Sequence, residues 1–454
     1  QKYLKKGFGI IMDLLTGNIR TIYLRYLSAA FGSAMISSIY GLVDTAMVGQ
    51  YQGPDGAAAL AIFAPIWNII YSLGLLAGIG GSILFAAARG SRNDGTENRF
   101  FTAAVLLCAG LSALCWGLIL LLPEPMLRLF GADDALLPLA MEYLRPVSFA
   151  VPVFLFNQLL SAFLRNDSRP GLTTAAVLAG GIFNVAGDYC FIFLLDMGIY
   201  GAGLATSLGA IIQLCILLSH FFSRHCTLRL VHSSGLPGLF GRIAAAGFSS
   251  FFIDVAMGIL TMLFNRQIMR LLGSDALAVY GIIVNVSTIV QCCGYSVGQA
   301  AQPILSQNFG AGLYSRIRQL LRLAVTASIC FGIAWTAAVW AAPLAFVKVF
   351  MAPSPEVLAI APAILRAYAL SFLLLPLNIF STYFFQSVLR AELSFGIAVS
   401  RGALISGSLI LLLPALLGPD AIWYAMPLTE LLVFLAVAAL LRRTVRSMEA
   451  APAQ

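Results

Sequence analysis

The sequence predicts an all-α polytopic membrane protein, with twelve transmembrane helices in two pseudo-twofold-related six-helix bundles. Composition gives the first indication: 60% of the 454 residues are hydrophobic and only 10% are charged, whereas soluble domains carry about 25% charged residues. Apolar runs give the second, because each is long enough, at roughly 20 residues, to cross a ~30 Å hydrocarbon core as a helix. The third is an internal repeat that relates the two halves of the chain.

Twelve apolar segments are the predicted spans, and the longer ones are expected to tilt or to extend beyond the bilayer. The first six lie near residues 22–48, 57–88, 100–122, 143–164, 171–195 and 199–222. The second six lie near residues 243–271, 277–304, 323–347, 366–389, 395–417 and 421–441.

Basic residues divide unequally between the two sides of these spans. Twenty Lys and Arg residues fall on the side that carries both termini, and six fall on the other side. The six are Arg128, Arg145, Arg266, Arg270, Lys348 and Arg366. Because cytoplasmic loops are enriched in Lys and Arg, we expect a multi-pass protein of the cytoplasmic (inner) membrane with both termini in the cytoplasm. The net charge of +8 is spread over separate short connections, so it indicates orientation in a bilayer and no nucleic-acid partner.

The two halves match at a nearly constant offset. The matched pairs are Asp55 with Asp275, Gly78 with Gly298, Gly90 with Gly310, Arg145 with Arg366, and Asn157 with Asn378. Each half has an even number of spans, so both copies share one orientation. A parallel repeat of this kind predicts a substrate site between two lobes. We therefore divide the chain into an N-terminal lobe (1–222), a cytoplasmic linker (223–242), a C-terminal lobe (243–441) and a cytoplasmic tail (442–454).

Two aspartates lie inside predicted spans of the N-terminal lobe. Asp44 and Asp188 are each about six or seven residues from the outer end of their spans, roughly 9 Å at 1.5 Å per residue. Asn184 precedes Asp188 by one helical turn, and Thr206 descends from the same side. These oxygens suit a hard cation such as Na⁺, and two nearby carboxylates can equally share a proton. The alternative is that each aspartate only bonds to neighbouring backbone or hydroxyl groups.

The C-terminal lobe carries its own buried polar residues. Asp254 lies about eleven residues into span 7, roughly 16 Å deep, where it could attract a cationic substrate or take part in coupling. Its alternative role is as a partner for polar groups of neighbouring helices. Arg401 and Glu430 lie on adjacent antiparallel spans, and we predict an ion pair between them.

Four further residues are candidates for the wall of a central substrate cavity. Asn157 and Asn378 are the repeat-related polar pair, although hydrogen bonding between helices also explains such residues. Tyr40 and Met257 could contribute to an adaptable apolar wall, although ordinary packing also accounts for them. A separate group after span 6 has no zinc-binding spacing and is predicted to be a solvated loop: His220, His225, Cys226 and His232.

Five segments resemble the multidrug and toxic compound extrusion (MATE) family over nearly the whole chain. They are V-D-T-A-M-V-G at 43–49, R-N-D-S-R-P-G at 165–171, N-V-A-G-D at 184–188, G-I-Y-G-A-G-L-A-T at 198–206 and Q-P-I-L-S-Q-N-F-G-A-G at 302–312. The resemblance implies antiport, in which a cation enters while an amphipathic, often cationic, compound leaves. It also implies a cation site in the N-terminal lobe at Asp44, Asn184, Asp188 and Thr206. Several family members carry glutamate near the place of Asp254, and the shorter aspartate weakens that correspondence.

Three other classes of function fit the sequence less well. A lipid-linked saccharide flippase of the same superfamily should place several arginines in its cavity, and Arg401 is the only deep arginine. An intramembrane enzyme would need a motif such as H-E-x-x-H or G-x-S-x-G, and the sequence has none. A channel fits the intrahelical carboxylates and the two-lobe repeat less well than alternating access does. We therefore expect a monomeric exporter of small amphipathic organic compounds in the lipid bilayer, with no cofactor beyond coupling H⁺ or Na⁺.

Overall fold

The computed structural model describes residues 14–91, 96–232, 235–350 and 354–450. In these ranges the chain forms helices and no strand, and twelve helices are long and apolar enough to cross a membrane. All twelve overlap the predicted spans, so the fold class is confirmed. Four of the residues counted in the charge argument, Lys2, Lys5, Lys6 and Arg92, lie outside the described residues.

The chain forms two compact units, residues 1–251 and 252–454. The lobe boundaries derived from the repeat stay a prediction. The division between the units falls inside the seventh span, so the first unit contains six complete spans and the beginning of the seventh. Spans 1 to 6 are Ile19–Gly53, Ala58–Gly90, Glu97–Leu121, Leu137–Asn166, Pro170–Leu194 and Gly198–Phe222.

Spans 1 and 2 form one continuous helical stretch that is interrupted at Gly53. This residue has a φ of +68°, a left-handed conformation that glycine adopts without steric cost. A short helix, Pro123–Leu129, follows span 3. Span 5 ends in a π-helical turn, Tyr189–Leu194, which begins directly after Asp188.

Aromatic side chains pack spans 2 and 4 together in the first unit. Phe63 contacts Tyr143 edge to face, with ring centroids 5.2 Å apart. Trp67 contacts Phe154 in the same way at 4.3 Å. Such pairs add about 0.5–1.5 kcal/mol each beyond the burial of their area. The packing fixes Tyr143 within the first two turns of span 4, which begins at Leu137.

The second unit contains the remainder of span 7 and five further spans. Spans 7 to 12 are Leu236–Leu271, Ser274–Gly310, Tyr314–Ala341, Pro355–Ser387, Ala391–Leu417 and Pro419–Met448. A short helix, Pro343–Phe350, follows span 9. Span 11 contains a π-helical turn at Ser400–Leu404, a feature that is frequent at functional positions.

Large apolar side chains cover the outward faces of both units. Leu121, Phe149, Met262 and Leu416 are each at least 70% exposed. A soluble protein rarely exposes so much contiguous apolar surface, whereas in a bilayer these side chains contact hydrocarbon. The chain is a multi-pass membrane protein.

The same hydrogen bond occurs once in each unit. The side-chain amide of Asn157 donates to the backbone carbonyl of Ala210 at 3.0 Å. The side-chain amide of Asn378 donates to the backbone carbonyl of Glu430 at 2.8 Å. The two donors are 221 residues apart and the two acceptors 220 apart. The repeat found in the sequence therefore corresponds to a repeated contact between the fourth and sixth spans of each half.

The first part of span 7 crosses span 2 at two glycines within the first unit. A Cβ atom on Gly80 would lie 2.1 Å from the backbone oxygen of Ile243, and one on Gly247 would lie 2.0 Å from that of Leu76. Both obstacles are backbone atoms, which cannot rotate away. The crossing distance therefore depends on the absence of a side chain at both positions.

We predict that Gly80→Ala and Gly247→Ala each destabilise the protein by about 1–3 kcal/mol, as overpacked sites do. Thermal unfolding of the detergent-solubilised protein measures the effect. Gly117→Ala in span 3 is the matched control, because a Cβ atom there meets nothing within 4 Å. A loss of stability at Gly117 equal to that at Gly80 would contradict the explanation.

Candidate functional site

Spans 5 and 6 approach each other through a pair of glycines. A Cβ atom on Gly180 would lie 2.7 Å from the backbone oxygen of Gly209, and one on Gly209 would lie 2.8 Å from that of Gly180. One turn beyond this crossing, the side-chain amide of Asn184 donates to the hydroxyl of Thr206 at 3.1 Å. The structure thus brings together two of the four predicted coupling residues.

Asp188 lies one turn further along span 5 and is fully buried, with 0% of its surface exposed. Among the residues that the structure describes, neither of its carboxylate oxygens has a hydrogen-bond partner. The side-chain oxygen of Asn184 is likewise buried without a partner there. Burying such groups without compensation costs several kcal/mol, which marks this position as one that requires a ligand or a proton.

Asp44 contributes the second carboxylate from span 1. Its Oδ1 atom is buried, and within the described ranges it accepts no hydrogen bond. Asp44 and Asp188 lie close enough to repel each other electrostatically. Tyr40, one turn before Asp44, packs against span 5, where a Cβ atom on Gly181 would lie 3.1 Å from its ring. Tyr40 therefore lies beside the predicted coupling residues in the first unit.

Tyr143 is a member of this cluster that the sequence analysis did not identify. It is almost fully buried, its side chain lies close to that of Thr206, and it is within electrostatic range of both Asp44 and Asp188. Tyr143 is six residues into span 4, which begins at Leu137, or roughly 9 Å deep at 1.5 Å per residue. The predicted span 4 begins near residue 143, which places Tyr143 at the end of a span and not at the depth of the two aspartates.

The cluster presents four buried oxygen atoms that lack partners in the described part of the chain: Asp44 Oδ1, Asn184 Oδ1, Asp188 Oδ1 and Asp188 Oδ2. Carboxylate and carbonyl oxygens are the ligands that hard cations prefer. Two neighbouring carboxylates also suit the binding of one proton, because one of them must become neutral. The donor set therefore fits either Na⁺ or H⁺.

Asp254 lies in the second unit, where it is half-buried on span 7. The Tyr295 side chain lies close to it. Its Oδ2 atom is buried and accepts no hydrogen bond from any described residue. Met257, three residues later on the same helical face, is also half-buried. Asp254 thus retains one free oxygen beside a flexible apolar side chain.

Arg401, Glu430 and Asn378 form a second buried cluster in this unit. Arg401 Nε lies 2.7 Å from Glu430 Oε1, so the predicted ion pair is confirmed. The Asn378 amide donates to Glu430 Oε2 at 2.7 Å. Both oxygens of Glu430 therefore have a partner, one through an ion pair and the other through a hydrogen bond. The role of Asn157 and Asn378 as cavity walls stays a prediction, because both are buried and both donate to a sixth span.

The prediction of a solvated loop at His220 is wrong. His220 is only 2% exposed, and its Nε2 atom lies 2.7 Å from Asp167 Oδ2. Asp167, at the end of span 4, also accepts hydrogen bonds from the Thr227 backbone and from Arg89. Spacing along the sequence could not reveal this network, because its central residue, Asp167, lies 53 residues before His220.

This network, here called the latch (Arg89, Asp167, His220 and Thr227), connects the segment after span 6 to the ends of spans 2 and 4. Burial raises the pKa of Asp167, but hydrogen bonds from His220 and Thr227 and the charge of Arg89 outweigh burial and hold the pKa below its ordinary value. The Asn98 side chain also holds the segment after span 6, because it accepts a hydrogen bond from the Arg229 backbone at 2.9 Å.

The fold defines a polytopic helical membrane protein, and its N-terminal cluster holds buried carboxylates without partners among the described residues. The MatE family model matches residues 29–190 and 249–408, more than half of the chain. The chain therefore belongs to the MatE family, which comprises multidrug efflux transporters and not enzymes.

Curated relatives support the same assignment. The multidrug export protein MepA of Staphylococcus aureus (strain MSSA476) is 20% identical over 409 residues, covering 88% of this chain and 89% of that protein. MepA of Staphylococcus saprophyticus is 22% identical over 299 residues, which cover 64% of this chain and 65% of that protein, slightly under two thirds. The probable multidrug resistance protein YoeA of Bacillus subtilis (strain 168) is 24% identical over 318 residues, 66% of each chain.

Solved structures show the same fold at low sequence identity. An outward-facing multidrug resistance MATE family transporter of the MOP superfamily matches with a TM-score of 0.90 at 19% identity, over 99% of this chain and 100% of that one. A MOP superfamily transporter from Pyrococcus furiosus, whose reverse pocket polarity suggested a different function, matches with a TM-score of 0.90 at 18% identity. The alignment covers 99% of this chain and 100% of the Pyrococcus furiosus chain.

We predict that Asp167→Asn destabilises the protein by about 1–3 kcal/mol at neutral pH, because it removes charge-assisted hydrogen bonds. A lowered folded-state pKa contributes stability above the unfolded pKa of about 3.9, and this stability is lost as pH falls through the folded value. The difference between the variant and the unaltered protein should therefore be constant down to about pH 5 and shrink below about pH 4. Chemical unfolding at several pH values measures it.

The exposed Asp55 provides the control, since Asp55→Asn makes the same charge change outside the latch. A difference for Asp167→Asn that does not depend on pH, or an equal effect at Asp55, would contradict the role of the ionised Asp167.

Proposed function

We propose that this protein is a secondary active antiporter of the cytoplasmic membrane, with both termini in the cytoplasm. It exports small amphipathic, often cationic, organic compounds in exchange for H⁺ or Na⁺ by alternating access. The names of the curated relatives, which are multidrug export and resistance proteins, support the substrate class. We propose that it acts as a monomer.

The buried, unpartnered carboxylate of Asp188 is the observation that carries this proposal. A charged carboxylate in hydrocarbon is stable only when it is paired, hydrated or bound to a cation, and otherwise it takes up a proton. Asp44, Asn184 and Thr206 lie around it and bring no positive charge. Binding and release of a cation or proton is therefore the process that this cluster serves.

Coupling follows when ion binding and substrate binding favour different conformations. A ligand shifts an equilibrium only by the difference in its affinity for the two states. In a closed conformation the cluster is stable only when it is protonated or has bound a cation. In a conformation that opens it to water, the cluster no longer requires the ion. The ion therefore has a different affinity for each conformation. Phe264 is the residue 220 positions after Asp44, so we propose that coupling resides in the N-terminal unit alone.

Asp254 and Met257 are the proposed substrate contacts in the second unit. The free oxygen of Asp254 would attract a cationic group, and the flexible thioether of Met257 would adapt to apolar groups of different shape. We propose Tyr40, Asn157 and Asn378 as further contributors to substrate binding.

The alternative of a lipid-linked saccharide flippase gains no support from Arg401. A pyrophosphate needs free guanidinium groups in the cavity, whereas Arg401 is engaged with Glu430. The exporter therefore remains the better-supported proposal.

We predict that Asp188→Asn and Asp44→Asn each reduce gradient-driven efflux to background, because neither variant can alternate between a charged and a neutral state at that position. The measurement is dye efflux from proteoliposomes, with an imposed Na⁺ or H⁺ gradient applied separately. The gradient that drives the unaltered protein identifies the coupling ion.

Asp55→Asn is the matched control, since Asp55 is exposed at the corner between spans 1 and 2 and should leave efflux unchanged. Unfolding temperature and chromatographic homogeneity show whether each variant is folded. Full gradient-driven efflux by both folded variants would remove the proposed coupling site.

We predict that Asp254→Asn weakens export of cationic dyes more than that of neutral dyes of similar size, since only the former gain from the negative charge. Efflux of matched cationic and neutral dyes from the same vesicles tests this. Met257→Leu, which keeps the volume and the charge, is the comparison variant and should affect both classes equally. An equal loss for both dye classes in Asp254→Asn would exclude its proposed role in substrate choice.

A further inference from the structure

A cavity of about 360 Å³ lies between the ends of spans 9 and 12 in the second unit. Its lining is Leu321, Leu441, Arg442, Val445 and Arg446. Tyr314 begins span 9 and Met448 ends span 12. The charge distribution places both of these ends at the cytoplasmic face, so the cavity lies at the membrane surface and not in its centre.

Two arginines converge on this cavity from one face of span 12. Arg442 and Arg446 are four residues apart, and residues at this spacing lie one above the other on a helix. Both are exposed, and neither forms an ion pair with any carboxylate whose side chain the structure describes. Two like charges at this spacing repel each other unless an anion lies between them.

Membrane orientation alone does not account for this arrangement. The positive-inside preference requires basic residues near the cytoplasmic ends of spans, and Arg322 and Arg443 satisfy it from exposed positions outside the cavity. Arg442 and Arg446 differ from them because they line an open cavity together with apolar side chains.

The remaining lining is apolar: Leu321 from span 9, and Leu441 and Val445 from span 12. A free inorganic anion would gain nothing from these walls. An amphiphile with an anionic head would use both parts of the cavity, because its phosphate would meet the arginines and its first carbons would meet the aliphatic side chains. Basic pockets between helices at the cytoplasmic face are recognised sites for anionic lipid headgroups.

We infer that this cavity binds the headgroup of an anionic phospholipid of the cytoplasmic leaflet. Arg442 and Arg446 hold its phosphate, and Leu321, Leu441 and Val445 contact the beginning of its acyl chains. The volume of about 360 Å³ accommodates a headgroup and not a whole lipid, so the chains extend along the outer surface. Farther along span 9, Ile329 and Ile333 are exposed there.

The test measures binding of phosphatidylglycerol to the purified full chain in detergent by native mass spectrometry, with phosphatidylcholine as the zwitterionic comparison. The double variant Arg442→Gln/Arg446→Gln should lose phosphatidylglycerol affinity by roughly 10- to 30-fold, as expected for two surface cations worth about 1 kcal/mol each. Binding of phosphatidylcholine should not change.

The matched control is Arg322→Gln/Arg443→Gln, which removes two charges from the same end of the same unit but outside the cavity. It should retain phosphatidylglycerol binding to within about twofold, since the general surface attraction is largely screened by salt. Equal losses in the two double variants would overturn the inference, because general surface charge would then explain the binding.

Inorganic phosphate provides the second discriminating arm. Displacement of phosphatidylglycerol by low millimolar phosphate would overturn the lipid assignment, since the apolar walls would then contribute nothing. Retention of binding under these conditions supports it. These assays use neither a gradient nor a transported compound, so their outcome is independent of the proposed antiport.

Discussion

The high cost of an unpartnered carboxylate in hydrocarbon governs the construction of the first unit. Asp188 is fully buried with both oxygens free among the described residues. The neighbouring side chains lie around this carboxylate but do not compensate for its burial. Gly180 and Gly209 bring spans 5 and 6 together, so that Asn184 and Thr206 lie next to the carboxylate and bond to each other. The cluster is thereby held in place but remains without compensating charge.

In the second unit, the buried carboxylate of Glu430 is paired instead of being left without a partner. Glu430 has an arginine on one oxygen and an amide on the other, so it needs no ion from outside. Removing one partner of such a pair leaves an uncompensated charge and is strongly destabilising. At the position 220 residues before Arg401 the first unit has Gly181. The two halves thus share a helical plan but differ in these buried polar groups: Glu430 in the second half is fully partnered, whereas Asp188 in the first half is not.

Most of the fold could be predicted from the sequence, because a span is a local property: a run of apolar residues of sufficient length. The Arg401–Glu430 pair was also predictable, since two opposite charges on adjacent spans have few other partners. The latch was not predictable, because Asp167 and His220 are brought together only when spans 4 and 6 are packed. Tyr143 was missed for another reason. Tyrosine is common in such helices, and only its depth beside Asp44 distinguishes it.

The hydrogen bonds of Asn157 and Asn378 have a consequence for how the two halves could diverge. Each amide donates to a backbone carbonyl of the sixth span, of Ala210 in one half and Glu430 in the other. Every residue has a backbone carbonyl, so this hydrogen bond does not restrict which residue supplies it. After an internal duplication, the hydrogen bond can therefore persist while the side chain at that position changes from a methyl group to one that ends in a carboxylate. Mutation at this position can alter the chemistry of one half without loosening the helix that carries it.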